Sequence, residues 1–96
     1  MYFWYMLYDL YIYGAIGEGG VTAEYVKSQL EEAKKKKADY VNVHMSSPGG
    51  EVYEGYTIYN LLKNSGFKIN TLIEGFCASI ATLIALAGDE VSMNKT

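Results

Sequence analysis

Two short stretches of this sequence combine residue types that can do chemistry. In Glu74-Gly75-Phe76-Cys77-Ala78-Ser79-Ile80-Ala81, a serine flanked by small residues opens a run without charge that extends from Ala78 to Ala87. Read as the start of a helix, this places the Ser79 hydroxyl beside N–H groups that lack intrahelical acceptors and carry partial positive charge. Such donors stabilise an oxyanion developing on a carbonyl that the serine attacks. In Ser47-Pro48-Gly49-Gly50, proline fixes the approach and two glycines leave the backbone bare, so its N–H groups can face a ligand closely. Taken singly, each has a plainer reading: Ser79 as a helix cap or packing residue, Pro-Gly-Gly as a turn. Taken together, the first supplies a nucleophile beside helix-start N–H donors, and the second a further donor from the Gly49 turn, a set suited to acyl transfer on an extended peptide.

The elements that must position these stretches follow from the periodicity. Leu10–Ile16 is a β-branched and aromatic run ending among glycines, read as a strand. Thr22 caps a helix reaching about Lys36, with Glu24 in its first turn and Val26, Leu30 and Ala33 as its buried stripe. Tyr40–Met45 alternates, with Val41, Val43 and Met45 on one face and Asn42 and His44 on the other. A second helix follows the Pro-Gly-Gly turn, its inner side expected at Val52, Tyr56, Tyr59 and Leu62 or Lys63, and it stops at Asn64-Ser65-Gly66. Lys68–Ile73 is a third strand, Ala78–Ala87 a third helix buried all round, and Glu90–Met93 a short fourth strand. This β-α-β-α-β-α-β order predicts an α/β fold with a largely parallel sheet and helices packed on it. In such sheets, function gathers where strand ends meet helix starts, which is where both stretches fall.

Size and composition narrow the classes of function. The 96 residues, half of them hydrophobic, suit one small domain. Eight lysines, no arginine and eleven acids give a formal charge of −3 and no clustered basic face for nucleic acid. The run Lys34–Lys37 follows Glu31 and Glu32 and reads as a solvated helix end. A single cysteine, Cys77, cannot close an internal disulfide, which fits a reducing, cytoplasmic setting. Met1–Tyr8 is aromatic, without lysine, arginine or a small-residue cleavage site, so it makes a poor signal peptide and is too short to span a bilayer. Residues 1–9 are therefore expected to be an aromatic arm or strand, and residues 10–96 the domain proper. No membrane, metal or cofactor is called for.

Ser46-Ser47-Pro48-Gly49-Gly50-Glu51-Val52, with Gly55, Ile58, Tyr59 and Asn60 behind it, resembles the Clp protease proteolytic subunit (ClpP) family, in particular the related peptidases of phage and prophage capsid genes. Gly75-Phe76-Cys77-Ala78-Ser79-Ile80-Ala81 followed by Ile84-Ala85-Leu86-Ala87-Gly88-Asp89 resembles that family's second motif, and Leu10–Gly14 with Val21-Thr22-Ala23 fits its opening strand and helix. The resemblance implies a ClpP/crotonase-like layered fold, represented by its N-terminal portion and truncated on the C-terminal side. It implies that Ser79 is the catalytic nucleophile and that the backbone N–H groups of Gly49 and Ile80 form the oxyanion hole, with Gly50 next to Gly49 in the same turn. It further implies a polypeptide substrate, a homo-oligomeric ring, and a Clp-type ATPase or phage capsid proteins as partners.

The departures are informative. Ser46 stands where the family commonly has asparagine, a change expected to alter only how the turn is braced. Phe76 and Cys77 replace smaller or aliphatic residues, and Cys77 reads as a buried, inert thiol. A serine nucleophile needs a base, and the base an orienting acid. The family's histidine and aspartate would both fall past Thr96. His44, the one histidine, lies mid-strand and is not expected to serve; Asp39 and Asp89 read as structural. Two other readings therefore stand beside the peptidase: a truncated remnant or assembly-only subunit, and a crotonase-type acyl-CoA enzyme, against which the Ser-Pro-Gly-Gly turn argues.

Overall fold

The computed structural model describes residues 5–93. Its elements are β1 (Leu7–Tyr13), α1 (Ala23–Lys35), β2 (Tyr40–Ser47), α2 (Val52–Lys63), β3 (Lys68–Cys77), α3 (Ile80–Ala85) and β4 (Glu90–Met93). The strands form one sheet in the order β1-β2-β3-β4, every neighbouring pair parallel. The expected α/β alternation and parallel sheet are thus present.

Alternation along the strands decides which face is covered. Leu10 and Ile12, Val41, Val43 and Met45, and Ile69 and Ile73 point to one side. There they meet Val26, Leu30 and Ala33 of α1, Ile58 and Leu62 of α2, and Ala81, Ile84 and Ala85 of α3 in a single buried cluster. The opposite face carries Asp9, Tyr11 and Tyr13 of β1 beside Asn42 and His44 of β2, which are half-buried or exposed.

Helix α1 starts and stops for local reasons. Thr22 is its cap and its side chain accepts from Tyr25 N–H; Glu24 lies in the first turn and Lys34 and Lys35 in the last. Lys36 sits 3.9 Å from Glu32, and Lys37 leaves the helix at φ 56.

Several boundaries and faces differ from the sequence reading; β1 ends at Tyr13 rather than Ile16, and β2 runs on to Ser47. β1 begins at Leu7, so Leu7, Tyr8 and Asp9 are strand; residues 1–4 of the aromatic segment lie outside the described residues. The buried face of α2 is Gly55, Ile58 and Leu62, while Val52 and Tyr56 are exposed. The reason is Gly55: a Cβ there would run into Ile80, so α2 turns its one bare position toward α3. β3 continues to Cys77 because a register irregularity sets Met45 opposite Ile73 but Ser47 opposite Cys77. β3 thus spends two extra residues in a bulge at Glu74-Gly75-Phe76. α3 is correspondingly short and is not buried all round: Leu86, just past its end, is 59% exposed.

Candidate active site

The two stretches singled out in the sequence meet at the C-terminal ends of β2 and β3. Main-chain bonds assemble them. Ala78 N–H donates to the Ser47 carbonyl at 3.2 Å, which ties the segment before Ser79 to the end of β2. Ile16, in the loop after β1, donates its N–H to Gly49 O (2.9 Å), and its own carbonyl accepts from Glu51 N–H (3.0 Å). This small parallel bridge holds the Pro48-Gly49-Gly50 turn in place. Acids of the α2 start pin this loop and the helix after it: Glu51 accepts from Glu18 N–H in the loop at 2.9 Å, and Glu54 from Ala23 N–H at the first residue of α1 at 3.0 Å.

Gly49 is glycine for two reasons. Its φ of 98 lies where side chains are strained. A Cβ there would also stand 2.6 Å from Ser79 Cβ, 2.9 Å from Ala78 O and 3.4 Å from Ile80 N. Gly49, Ser79 and Ile80 are therefore packed together, as the sequence reading required. Gly50, at φ 155, is excluded from carrying a side chain by the Ile16 carbonyl.

Ser79 occupies the strand-to-helix corner with φ 57 and ψ −134, a conformation that costs a non-glycine residue roughly 1–3 kcal/mol. It is exposed and its side chain makes no capping bond to α3. The capping reading of this serine is thereby set aside. A strained turn between a strand and a helix is one way that a fold presents a serine hydroxyl at the top of a sheet.

The distribution of free donors adds a detail that the sequence did not. Gly49 N–H donates to the buried Ser47 Oγ at 3.1 Å. Gly50 N–H and Ile80 N–H donate to no acceptor among the described residues. Of the two glycines, Gly50 therefore has the unengaged N–H. Ser46 braces the other side of the site, its Oγ accepting from Phe76 N–H at 3.1 Å in the bulge.

His44 lies elsewhere. On the outer face of the sheet its Nδ1 is 2.7 Å from Glu74 Oε2 and its Nε2 is 2.8 Å from Asp9 Oδ1. Tyr11 stacks on the ring at 4.4 Å, and Tyr13 donates its hydroxyl to the other Glu74 oxygen. Burial by itself lowers the imidazole pKa, but the hydrogen bonds to Asp9 and Glu74 and the attraction of both carboxylates prevail and raise it. The Glu74 carboxyl is lowered in return, first by Tyr13 and then by His44. Both ring nitrogens of His44 are thus engaged by carboxylates of the outer face, and neither contacts Ser79. Sequence reading missed this network because it needs three strands in register; only the same-face alternation of Asp9, Tyr11 and Tyr13 hinted at it. Asp39 and Asp89 are structural as expected, accepting from Met6 N–H and Ile69 N–H. Cys77 is half-buried and free.

A parallel sheet with its helices on the described face, with a strained serine and a glycine turn side by side at the C-terminal ends of β2 and β3, is a layered α/β architecture. The Clp protease family profile matches residues 9–95, and the chain belongs to that family. It is 38% identical over 48 residues to the ATP-dependent Clp protease proteolytic subunit of Porphyromonas gingivalis, a match covering 50% of this chain and 22% of the relative. The corresponding subunit of Bacteroides thetaiotaomicron is 34% identical over 50 residues, 52% of this chain and 23% of that one. Among solved structures, ClpP1 from Listeria monocytogenes superposes with a TM-score of 0.76 at 30% identity, over 83% of this chain and 46% of that one. The fold is also that of the membrane-bound stomatin-specific protease 1510-N, with a TM-score of 0.81 at 19% identity, over 93% of this chain and 44% of that one. The chain thus spans less than half the length of the solved structures it resembles. No described helix is long and apolar enough to cross a membrane.

Proposed function

We propose that this chain is the nucleophile-bearing part of a ClpP-type serine endopeptidase subunit. The observation that carries the reading is the strained, exposed Ser79 packed against the Gly49 turn at the end of a parallel sheet. Ser79 Oγ attacks the peptide carbonyl, an acyl-enzyme forms as the amine leaves, and water then releases the acid. The oxyanion is held by Ile80 N–H and by the glycine turn. The sequence pointed to Gly49 as that second donor; the engagement of Gly49 N–H by Ser47 Oγ favours the adjoining Gly50 N–H, with Gly49 supplying the close approach. No metal or cofactor enters these steps.

The proton of Ser79 must go to a base. Family resemblance assigns that role to a histidine, oriented by an aspartate, in the half of the relatives that this chain does not span. The 96 residues alone are accordingly inactive or nearly so, because removing the base leaves only the residual catalysis of oxyanion hole and binding. The commitment of both His44 nitrogens to carboxylates also supports the second reading, an assembly-only subunit or remnant. Polypeptide substrates, a homo-oligomeric ring, a Clp-type ATPase or phage capsid proteins as partners, and a cytoplasmic setting belong to the peptidase reading through family likeness. The test is to complete the chain with the C-terminal half of Listeria ClpP1 and expose it to a fluorophosphonate probe. Wild type should be labelled and Ser79→Ala spared; equal labelling of the two removes Ser79 as nucleophile.

A further inference from the structure

The β3 bulge that leads into Ser79 is held from the outer face of the sheet by side chains. Glu74, its first residue, is gripped on one carboxylate oxygen by His44 and on the other by Tyr13. Phe76, its last, is fixed through its N–H by Ser46 Oγ. A Cβ on Gly75, between them, would stand 2.6 Å from the same Ser46 oxygen, so the bulge lies tight against β2. A bulge bends its strand and re-aims the residues C-terminal to it, which here are Cys77-Ala78-Ser79.

His44 can hold both of its partners only as an imidazolium. With two N–H groups it donates to Asp9 and to Glu74; a neutral ring has one N–H and one lone pair, and the lone pair would face a carboxylate. The titratable groups facing the ring are Asp9, Tyr11 and Tyr13 from β1 and Glu74 from β3. On its own strand the flanking outward positions, Asn42 and Ser46, are neutral. On β4, Glu90 lies beyond β3 at the level of Asn70.

We propose that Asp9, His44 and Glu74 form a proton-operated clamp on this bulge: protonated, His44 ties β1 to the start of the bulge, and on losing its proton to solvent it releases one carboxylate and loosens the approach to Ser79. The consequence for reactivity rests on the role given to Ser79 above; the clamp itself does not.

The test is nuclear magnetic resonance of the full chain across pH, monitoring the His44 ring and the backbone amides from Glu74 to Ser79. His44 should titrate above the ordinary value of about 6.5, and the amides of Gly75, Phe76 and Cys77 should shift with the same midpoint. Glu74→Gln and Asp9→Asn should each lower that midpoint. His44→Gln should flatten the amide response; if that variant does not fold, the agreement of ring and amide midpoints in wild type decides. A ring that titrates at or below the ordinary value, or amides that stay flat while it titrates, overturns the clamp. Neither readout uses the Ser79 hydroxyl, so failed probe labelling leaves the clamp standing, and flat amides leave the nucleophile standing.

Discussion

Gly49 and Ser79 are in such close contact that a single methyl group on Gly49 would stand 2.6 Å from the Ser79 Cβ. Gly49→Ala therefore meets both a steric block and a φ of 98 that alanine resists. We expect a loss of roughly 1–3 kcal/mol in urea unfolding, and at least tenfold slower fluorophosphonate labelling in the completed protein. Unchanged labelling would mean that the turn does not shape the site.

Ser79 itself should be a source of instability. Glycine accepts φ 57 and ψ −134 without strain, whereas alanine does not. Ser79→Gly should then be more stable than Ser79→Ala by about 1 kcal/mol or more, even though glycine is the more flexible when unfolded. Denaturation midpoints of the two variants check this, and the reverse order would refute the strain.

The buried Ser47 joins the two halves of the site, its Oγ accepting from Gly49 N–H and its carbonyl from Ala78 N–H. Ser47→Ala removes only the first bond and leaves a buried donor unpaired, which should cost about 1–3 kcal/mol. Ser46→Ala, whose partner Phe76 N–H is more exposed, should cost less. Chemical unfolding of the pair reads the difference.

The His44 cluster sets the direction of pH dependence. Because the folded imidazole pKa is raised, its stabilisation is complete below the unfolded value of about 6.5 and disappears as pH rises through the folded value. Glu74, lowered on folding, contributes above the unfolded carboxyl range and loses its contribution as pH falls through its folded pKa. Thermal unfolding should therefore show a maximum between those limits, and His44→Gln should remove the decline on its alkaline side. An alkaline decline unchanged in that variant would exclude His44 as its source.

Much of this was legible in the sequence because it is local. The Thr22 cap, the buried stripe of α1 and the alternation of β2 depend on neighbours in the chain, and all stand as read. The meeting of Gly49 with Ser79 was inferred from where strand ends meet helix starts. What escaped was set at a distance. The inner face of α2 depends on Gly55 receiving Ile80, and the late start of α3 on a bulge that appears only when β3 is laid against β2. An apolar run looked like a longer helix because hydrophobicity alone does not distinguish the end of a buried strand from the start of a helix. The choice between Gly49 and Gly50 as donor turns on the Ser47 hydroxyl, a contact that no periodicity reveals.

The Ile16 bridge bears on how freely the loop's sequence can change. It grips the glycine turn through its own N–H and carbonyl, atoms that every residue except proline possesses. A lineage can rewrite much of the loop's side-chain lettering while these two bonds persist. The turn is thus held by a frame that makes no demand on which side chain stands at position 16 beyond excluding proline.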